Sequence, residues 1–315
     1  MRTGRLQVQA VLADKFIKNV DTCNVFVANI SDKKQTSRIM RQLSELCPLE
    51  ELQHLKRVRA SKEKDVPLQV VVHKPLDPDS DQAVLEAVKN IEGMGKPYLL
   101  KVPASPPLTR RQYNEAIKYW PVNFHEDKEI ASMVSGNYFT EAEHLDIEQY
   151  MGMALKLANI GKAKGQIPIG AVIVNPVSKK VIAEAYDLRQ AGYPLQHAVM
   201  VAVDLVAHSQ GGGMWNFDET FNGLKFLEVN SMDSSQSSCE YLCTGYDLYV
   251  TQEPCVMCSM ALVHSRIGRV FYGASHPGGA LGSSYKVHCQ QGFNHHFLVF
   301  KGCLQEQTDR LYDNR

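Results

Sequence analysis

One short stretch constrains this chain more than any other: T-Q-E-P-C-V-M-C-S-M-A-L-V-H, residues 251–264, in which Pro254 is followed by Cys255 and Cys258. Two sulfurs three residues apart fall on one face of a helix that starts at Pro254, where the missing N–H of proline costs nothing. The positive end of such a helix favours thiolate, the form that binds metal. Upstream, His197 stands just before an apolar, helix-like run from Val199 to Ala207 and offers a third zinc ligand. A lone histidine is more often a core residue and a lone C-x-x-C can be a redox pair, so the joint placement carries the reading.

The remaining composition limits where such a site can sit. With 315 residues and balanced charge, 34 basic against 34 acidic, the chain is long enough for two domains with separate cores. It opens M-R-T-G-R-L-Q-V, without an apolar signal core, and has no apolar run long enough to span a membrane. The expectation is a soluble intracellular protein whose eight cysteines are reduced thiols and metal ligands. Residues 1–140 hold about 21 Lys plus Arg against about 17 acids, and the rest about 13 against 17, so the first half is mildly basic.

In that first half, residues 1–105, Leu6 to Leu12 and Cys23 to Ile30 read as strands. Ser31 or Asp32 caps a helix carrying Ile39, Leu43 and Leu46, and Leu55–Ala60 with Leu68–His73 forms a hairpin. A second helix carries Val84, Ala87, Val88 and Ile91, and Tyr98–Val102 is the last strand. The order from Cys23 is that of a ferredoxin-like α+β domain. Aromatic RNA-binding motifs are absent from its strands, so the RNA candidates are basic: Lys56, Arg57, Arg59, Lys62 and Lys64, with Lys33, Lys34, Arg38 and Arg41 on the preceding helix. A solvated charged face is the bland alternative.

P-A-S-P-P, residues 103–107, marks a linker, and residues 106–137 are expected to hold a short capped helix with Arg110 and Arg111 near its start. Its Tyr113, Tyr119 and Trp120 suit packing against a domain as well as RNA. From residue 138 to 315 the pattern is a Thr140-capped helix, strands at 168–174 and 180–185, a helix near His197, a strand at 246–251, the cysteine helix, and strands at 270–273 and 297–301. That makes an α/β domain with a five-stranded sheet, helices on both faces and the metal ligands at helix N-termini on one rim. Residues 210–243 read as an insertion whose Cys239 and Cys243 are free thiols.

The run L-Y-V-T-Q-E-P-C-V-M-C-S-M-A-L-V-H-S-R-I-G-R-V-F-Y-G-A, with P-I-G-A-V-I-V before it and G-G-A-L-G-S and N-H-H-F after it, resembles the tRNA adenosine deaminases, whose fold is cytidine deaminase-like. Within that family, Val199 together with H-L-K-R-V-R and P-P-L-T-R-R-Q-Y…W-P is similar to the non-catalytic third subunit of the eukaryotic heterodimer that converts wobble adenosine to inosine. The resemblance implies zinc held by His197, Cys255 and Cys258, a catalytic second subunit as partner, and contact with the tRNA anticodon arm through the first domain. It implies residence in nucleus and cytoplasm.

Two departures bear on chemistry. Val199 stands where catalytic members carry a proton-shuttling glutamate, and Asp187 where they carry an asparagine that contacts the base. Hydrolytic deamination needs a metal that acidifies water and a carboxylate that carries the proton to ring nitrogen and leaving amine. Valine does neither proton step, and Glu253, beside the cysteine helix, suits a turn-structuring role. The expectation is therefore a zinc-stabilised support without catalysis. The rivals are an autonomous zinc deaminase with an unusual proton carrier and a scaffold that does not touch RNA. The fourth zinc position is left to water or to the tail L-Y-D-N-R.

Overall fold

The computed structural model describes residues 8–61, 67–75, 77–217, 224–226 and 241–312. The chain divides into two compact units, one of residues 14–131 and one of residues 1–13 with 132–315. The first strand, β1 (Gln9–Ala10), therefore belongs to the second unit, although its sequence neighbours belong to the first.

The unit of residues 14–131 starts with a single helical turn, α1 (Asp14–Ile17), and continues β2 (Thr22–Ile30), α2 (Thr36–Leu46), β3 (Val58–Ala60), β4 (Leu68–His73), α3 (Pro78–Lys89), β5 (Tyr98–Pro103) and α4 (Arg110–Ala116). Its antiparallel sheet has the order β3-β4-β2-β5, the ferredoxin-like arrangement expected from the sequence. Ala28, Ile30, Val70 and Val72 bury one face under Ile39, Leu43, Val88 and Ile91. Val25, Val27, Val71 and Val102 bury the other under Leu52, Leu55, Ala116, Trp120 and Val122.

Both faces are thus covered, and among the described residues of this unit's strands no aromatic side chain is exposed. Thr109 caps α4 through a reciprocal capping box with Gln112, and Trp120 is fully buried with its Nε1 donating to Lys56 O at 2.6 Å. Most of residues 106–137 is therefore structure of the first unit, because Ala116, Trp120 and Val122 have a sheet to bury against. In α5 (Lys128–Ser135) the chain passes from one unit to the other.

The second unit contains α6 (Glu141–Ala163), β6 (Gly170–Asn175), β7 (Lys180–Tyr186), α7 (Ala198–Ser209), β8 (Lys225–Phe226), β9 (Asp247–Gln252), α8 (Val256–His264), β10 (Arg269–Ala274), β11 (Leu298–Lys301) and α9 (Gln305–Asp309). Its sheet has the order β1-β11-β10-β9-β6-β7-β8, seven strands where five were expected, with short strands added at each edge. β9, β10 and β11 run parallel, and β6 pairs antiparallel with β7 and β9.

β1 reaches this sheet through contacts that no local pattern reveals: Val11 N donates to Val299 O at 2.8 Å, His288 Nε2 to Val11 O at 2.8 Å and Lys286 Nζ to Leu12 O at 2.9 Å. The five residues of β6 and of β9 that precede the last are buried on both faces, as expected for strands covered by helices. Thr140 and Glu143 form the capping box that starts α6. Gly170 lets this helix approach β6, since a Cβ there would lie 2.0 Å from Ala154 O. Among the described residues no helix is long and apolar enough to cross a membrane.

Candidate metal centre

Two helix starts build the site. His197 is the N-cap of α7 with extended backbone (φ −64°, ψ 151°), and Cys255 is the N-cap of α8 (φ −71°, ψ 175°). The cysteine helix thus begins after Cys255, so Pro254 precedes the cap instead of opening the helix as expected from its spacing. The His197 side chain makes no capping bond to its own helix, and the Cys255 thiol turns to Cys258 of α8 and to His197. Cys258 lies one turn into α8 and is 2% exposed.

One ligand atom each from His197, Cys255 and Cys258 falls within 4.8 Å of the others. Cys255 Sγ is 3.6 Å from His197 Nδ1. Tetrahedral zinc, with bonds of about 2.3 Å to sulfur and about 2.0 Å to nitrogen, separates such atoms by about 3.5 Å. The donor set and spacing fit the metal.

A hydrogen bond with Cys258, helped by His197, holds the Cys255 thiol down to about 3, while the same contact and burial push Cys258 up. Both sulfurs would hold a metal as thiolates. Among the described residues no fourth His, Cys, Asp or Glu joins the three. Of the tail, Tyr312 donates its hydroxyl to Pro168 O at 3.0 Å, and residues 313–315 lie outside the described residues.

A cleft of about 150 Å³ opens over these ligands, with Val199, Asp187, Arg189, Glu253 and His276 in its lining. Val199 is 2% exposed and supplies only methyl groups. Asp187 is fully buried and engages the Arg189 guanidinium, whose Nη2 is 2.9 Å from Oδ2. Glu253, 4% exposed, accepts from the backbone N–H groups of His276, Leu281 and Ser283 at 3.2, 3.0 and 2.9 Å and from the Ser283 hydroxyl. Its carboxylate organises the 276–284 loop, and every observed bond it makes is to that loop. His276 accepts from Gly278 N through Nδ1 at 3.0 Å.

Arg189 was not singled out by sequence reasoning. The available signal was its place two residues beyond a departing aspartate, where it can fold back onto that carboxylate.

The basic candidates are scattered in role. Arg57 points inward and donates to Leu43 O at 3.0 Å, Cys47 O at 2.6 Å and Val71 O at 3.2 Å. Arg59 donates to Gln69 Oε1 at 2.8 Å and Tyr119 O at 2.7 Å and stacks 4.1 Å over Trp120. Arg110 pairs with Glu126 at 2.9 Å, and Arg111 bonds Asn19, Ile17 and Lys18. All four arginines bond groups within the first unit, and Arg110 and Arg111 remain exposed. Lys56 is exposed, as are Lys33, Lys34 and Arg41; Lys62 and Lys64 lie outside the described residues. Cys243 is a buried free thiol pushed up to about 12 by burial, and Cys239 lies outside the described residues.

Residues 145–274 match the cytidine and deoxycytidylate deaminase zinc-binding region, and residues 23–120 match the tRNA-specific adenosine deaminase TAD3 N-terminal domain. The probable inactive tRNA-specific adenosine deaminase-like protein 3 of Danio rerio is 45% identical over 316 residues, covering 97% of this chain and 94% of that protein. Its Homo sapiens counterpart is 41% identical over 318 residues, covering 96% and 90%. The tRNA-specific adenosine deaminase subunit tad3 of Schizosaccharomyces pombe is 29% identical over 295 residues, covering 90% and 85%. Similarity of this extent across both units, with a deaminase ligand set and no carboxylate at Val199, shows that the chain belongs to the TAD3 family of tRNA-specific adenosine deaminase-like proteins and is a pseudoenzyme within it.

Proposed function

We propose that this chain is the non-catalytic, structural and tRNA-binding subunit of a heterodimeric deaminase that converts wobble adenosine to inosine. The observation that carries the reading is the intact His197, Cys255 and Cys258 triad beside Val199, with Glu253 committed to its loop. Zinc held there supplies Lewis acidity in catalytic relatives of this fold; here its role is to tie the starts of α7 and α8 together. The catalytic subunit brings its own proton carrier, and the anticodon arm meets exposed lysines such as Lys56, Lys33 and Lys34. Residence in nucleus and cytoplasm follows from the same reading.

The test is to purify the chain alone and with the catalytic subunit, then measure zinc content, tRNA binding and inosine formation. The proposal expects zinc in the chain alone, inosine from the complex only, and tRNA binding weakened when this subunit is omitted. Inosine formed by the chain alone overturns it.

A further inference from the structure

Between the end of β9 at Gln252 and the start of α8 at Val256 lie Glu253, Pro254 and the ligand Cys255. The backbone of this short turn is bonded to β10 and to the loop that follows it. Glu253 N donates to Ala274 O at 2.9 Å, Ala280 N donates to Pro254 O at 2.9 Å, and Cys255 faces Gly279 as an antiparallel bridge. The ligand's own backbone is therefore paired with the loop, in the extended conformation of an N-cap.

The Glu253 side chain clamps that loop from beneath. Its Oε1 accepts from Leu281 N and Ser283 N, and its Oε2 accepts from His276 N and the Ser283 hydroxyl. A carboxylate offers about four acceptor positions, and these bonds take all of them. None is left for a water in the cleft, which separates the role of Glu253 from proton transfer. An amide at this position would turn its N–H groups toward two of the four donors.

The packing leaves the loop one way to close. A Cβ on Gly279 would lie 2.1 Å from Glu253 Cδ, so glycine is what admits the carboxylate beneath it. Gly279 N donates to His276 O at 2.8 Å, and Ser284 N donates to Gly279 O at 3.0 Å. The residue opposite Cys255 is thus tied to both ends of the segment that Glu253 holds.

Resting on the zinc reading above, we infer that Glu253 is a positioning residue for the metal. Its carboxylate fixes the loop, the loop fixes the backbone of Cys255, and that backbone carries Sγ to within 3.6 Å of His197 Nδ1. Groups outside the ligand set that orient a ligand change metal affinity by about 10- to 100-fold when they are removed. The three ligands therefore depend on a fourth side chain that touches no metal.

The experiment uses the full chain and titrates zinc against a competing chromogenic chelator, with cobalt(II) as a second probe whose visible spectrum reports the ligand arrangement. Glu253→Gln is expected to weaken zinc binding by about 10- to 100-fold and to alter the cobalt(II) spectrum, although all three ligands are intact. Gly279→Ala pushes on the carboxylate from the loop side and should weaken zinc in the same range, with little further loss in the double variant. Ser283→Ala removes one donor, should weaken zinc by a smaller factor, and keeps the test decisive where Glu253→Gln does not fold. Arg57→Ala, which removes bonds internal to residues 14–131, should leave zinc affinity and the cobalt(II) spectrum as in wild type. Wild-type affinity and spectrum in Glu253→Gln, or in both Gly279→Ala and Ser283→Ala, overturn the inference and leave the zinc reading standing. An equal loss of zinc in Arg57→Ala makes the effect one of general stability and also overturns it. A wild-type chain that binds no zinc removes both readings.

Discussion

The carboxylate of Asp187 is gripped by the guanidinium of Arg189, with Nε 3.0 Å from Oδ1 and 2.9 Å from Oδ2. The Arg189 backbone N–H also donates to Oδ1, at 3.1 Å. Where the catalytic relatives' pattern has a base-contacting amide, this chain has an internal ion pair. Val199 and this ion pair line the same cleft.

Restoring the missing acid should consequently fail to restore catalysis. Val199→Glu alone is expected to form no inosine on tRNA, because Asp187 and Arg189 still occupy the cleft wall. Recovery of activity comparable to a catalytic deaminase in that single variant, measured by inosine in tRNA, would show that the wall is no obstacle.

The same pair makes a stability prediction. Arg189→Ala leaves a fully buried carboxylate without its partner and should cost about 3 kcal/mol, whereas Asp187→Asn, which keeps an acceptor for Arg189 N, should cost roughly half of that. Urea unfolding of the two zinc-loaded variants distinguishes these outcomes.

Arg57 offers a direct contrast between reading charge and seeing it placed. Its donors reach Leu43 O, Cys47 O and Val71 O, so Arg57→Ala should destabilise the first unit by about 2–3 kcal/mol, and Arg57→Lys should not rescue it. Lys56→Glu should instead leave stability unchanged and reduce the salt dependence of tRNA binding by about one unit of slope. Paired unfolding and binding titrations test both.

These residues show what a linear pattern carries. Alternation in Cys23–Ile30 and the spacing of Val84, Val88 and Ile91 announce elements whose burial repeats locally, and the structure contains them. The metal ligands are similarly visible because helix starts bring His197 and the C-x-x-C together. The inward bonds of Arg57 and Arg59 leave no such mark, because the carbonyls and the indole that receive them come from other elements. The membership of β1 in the second unit is not legible locally, because its partner, β11, lies almost the whole chain away, and register between distant strands leaves no local mark.

The attachment of β1 has a pH signature. Burial holds the His288 imidazole below its ordinary value, its Nε2 bonds Val11 O, and its Nδ1 is buried without a partner. The unfolded chain therefore takes up the proton first. This contribution to stability is complete above the unfolded value, about 6.5, and declines on acidification until the folded imidazole titrates, by up to about 1.4 kcal/mol per pH unit. His288→Gln should flatten the difference in unfolding free energy between pH 7 and pH 5.5; an unchanged slope would place its origin elsewhere.

The central claim is a deaminase metal site retained without deaminase chemistry. Its most direct test is to measure zinc and inosine on one preparation of the isolated chain, incubated with tRNA. The account predicts about one zinc per chain, lost in Cys258→Ala, and no inosine above background. Zinc-dependent inosine formation by the isolated chain, abolished by Cys258→Ala, would contradict it.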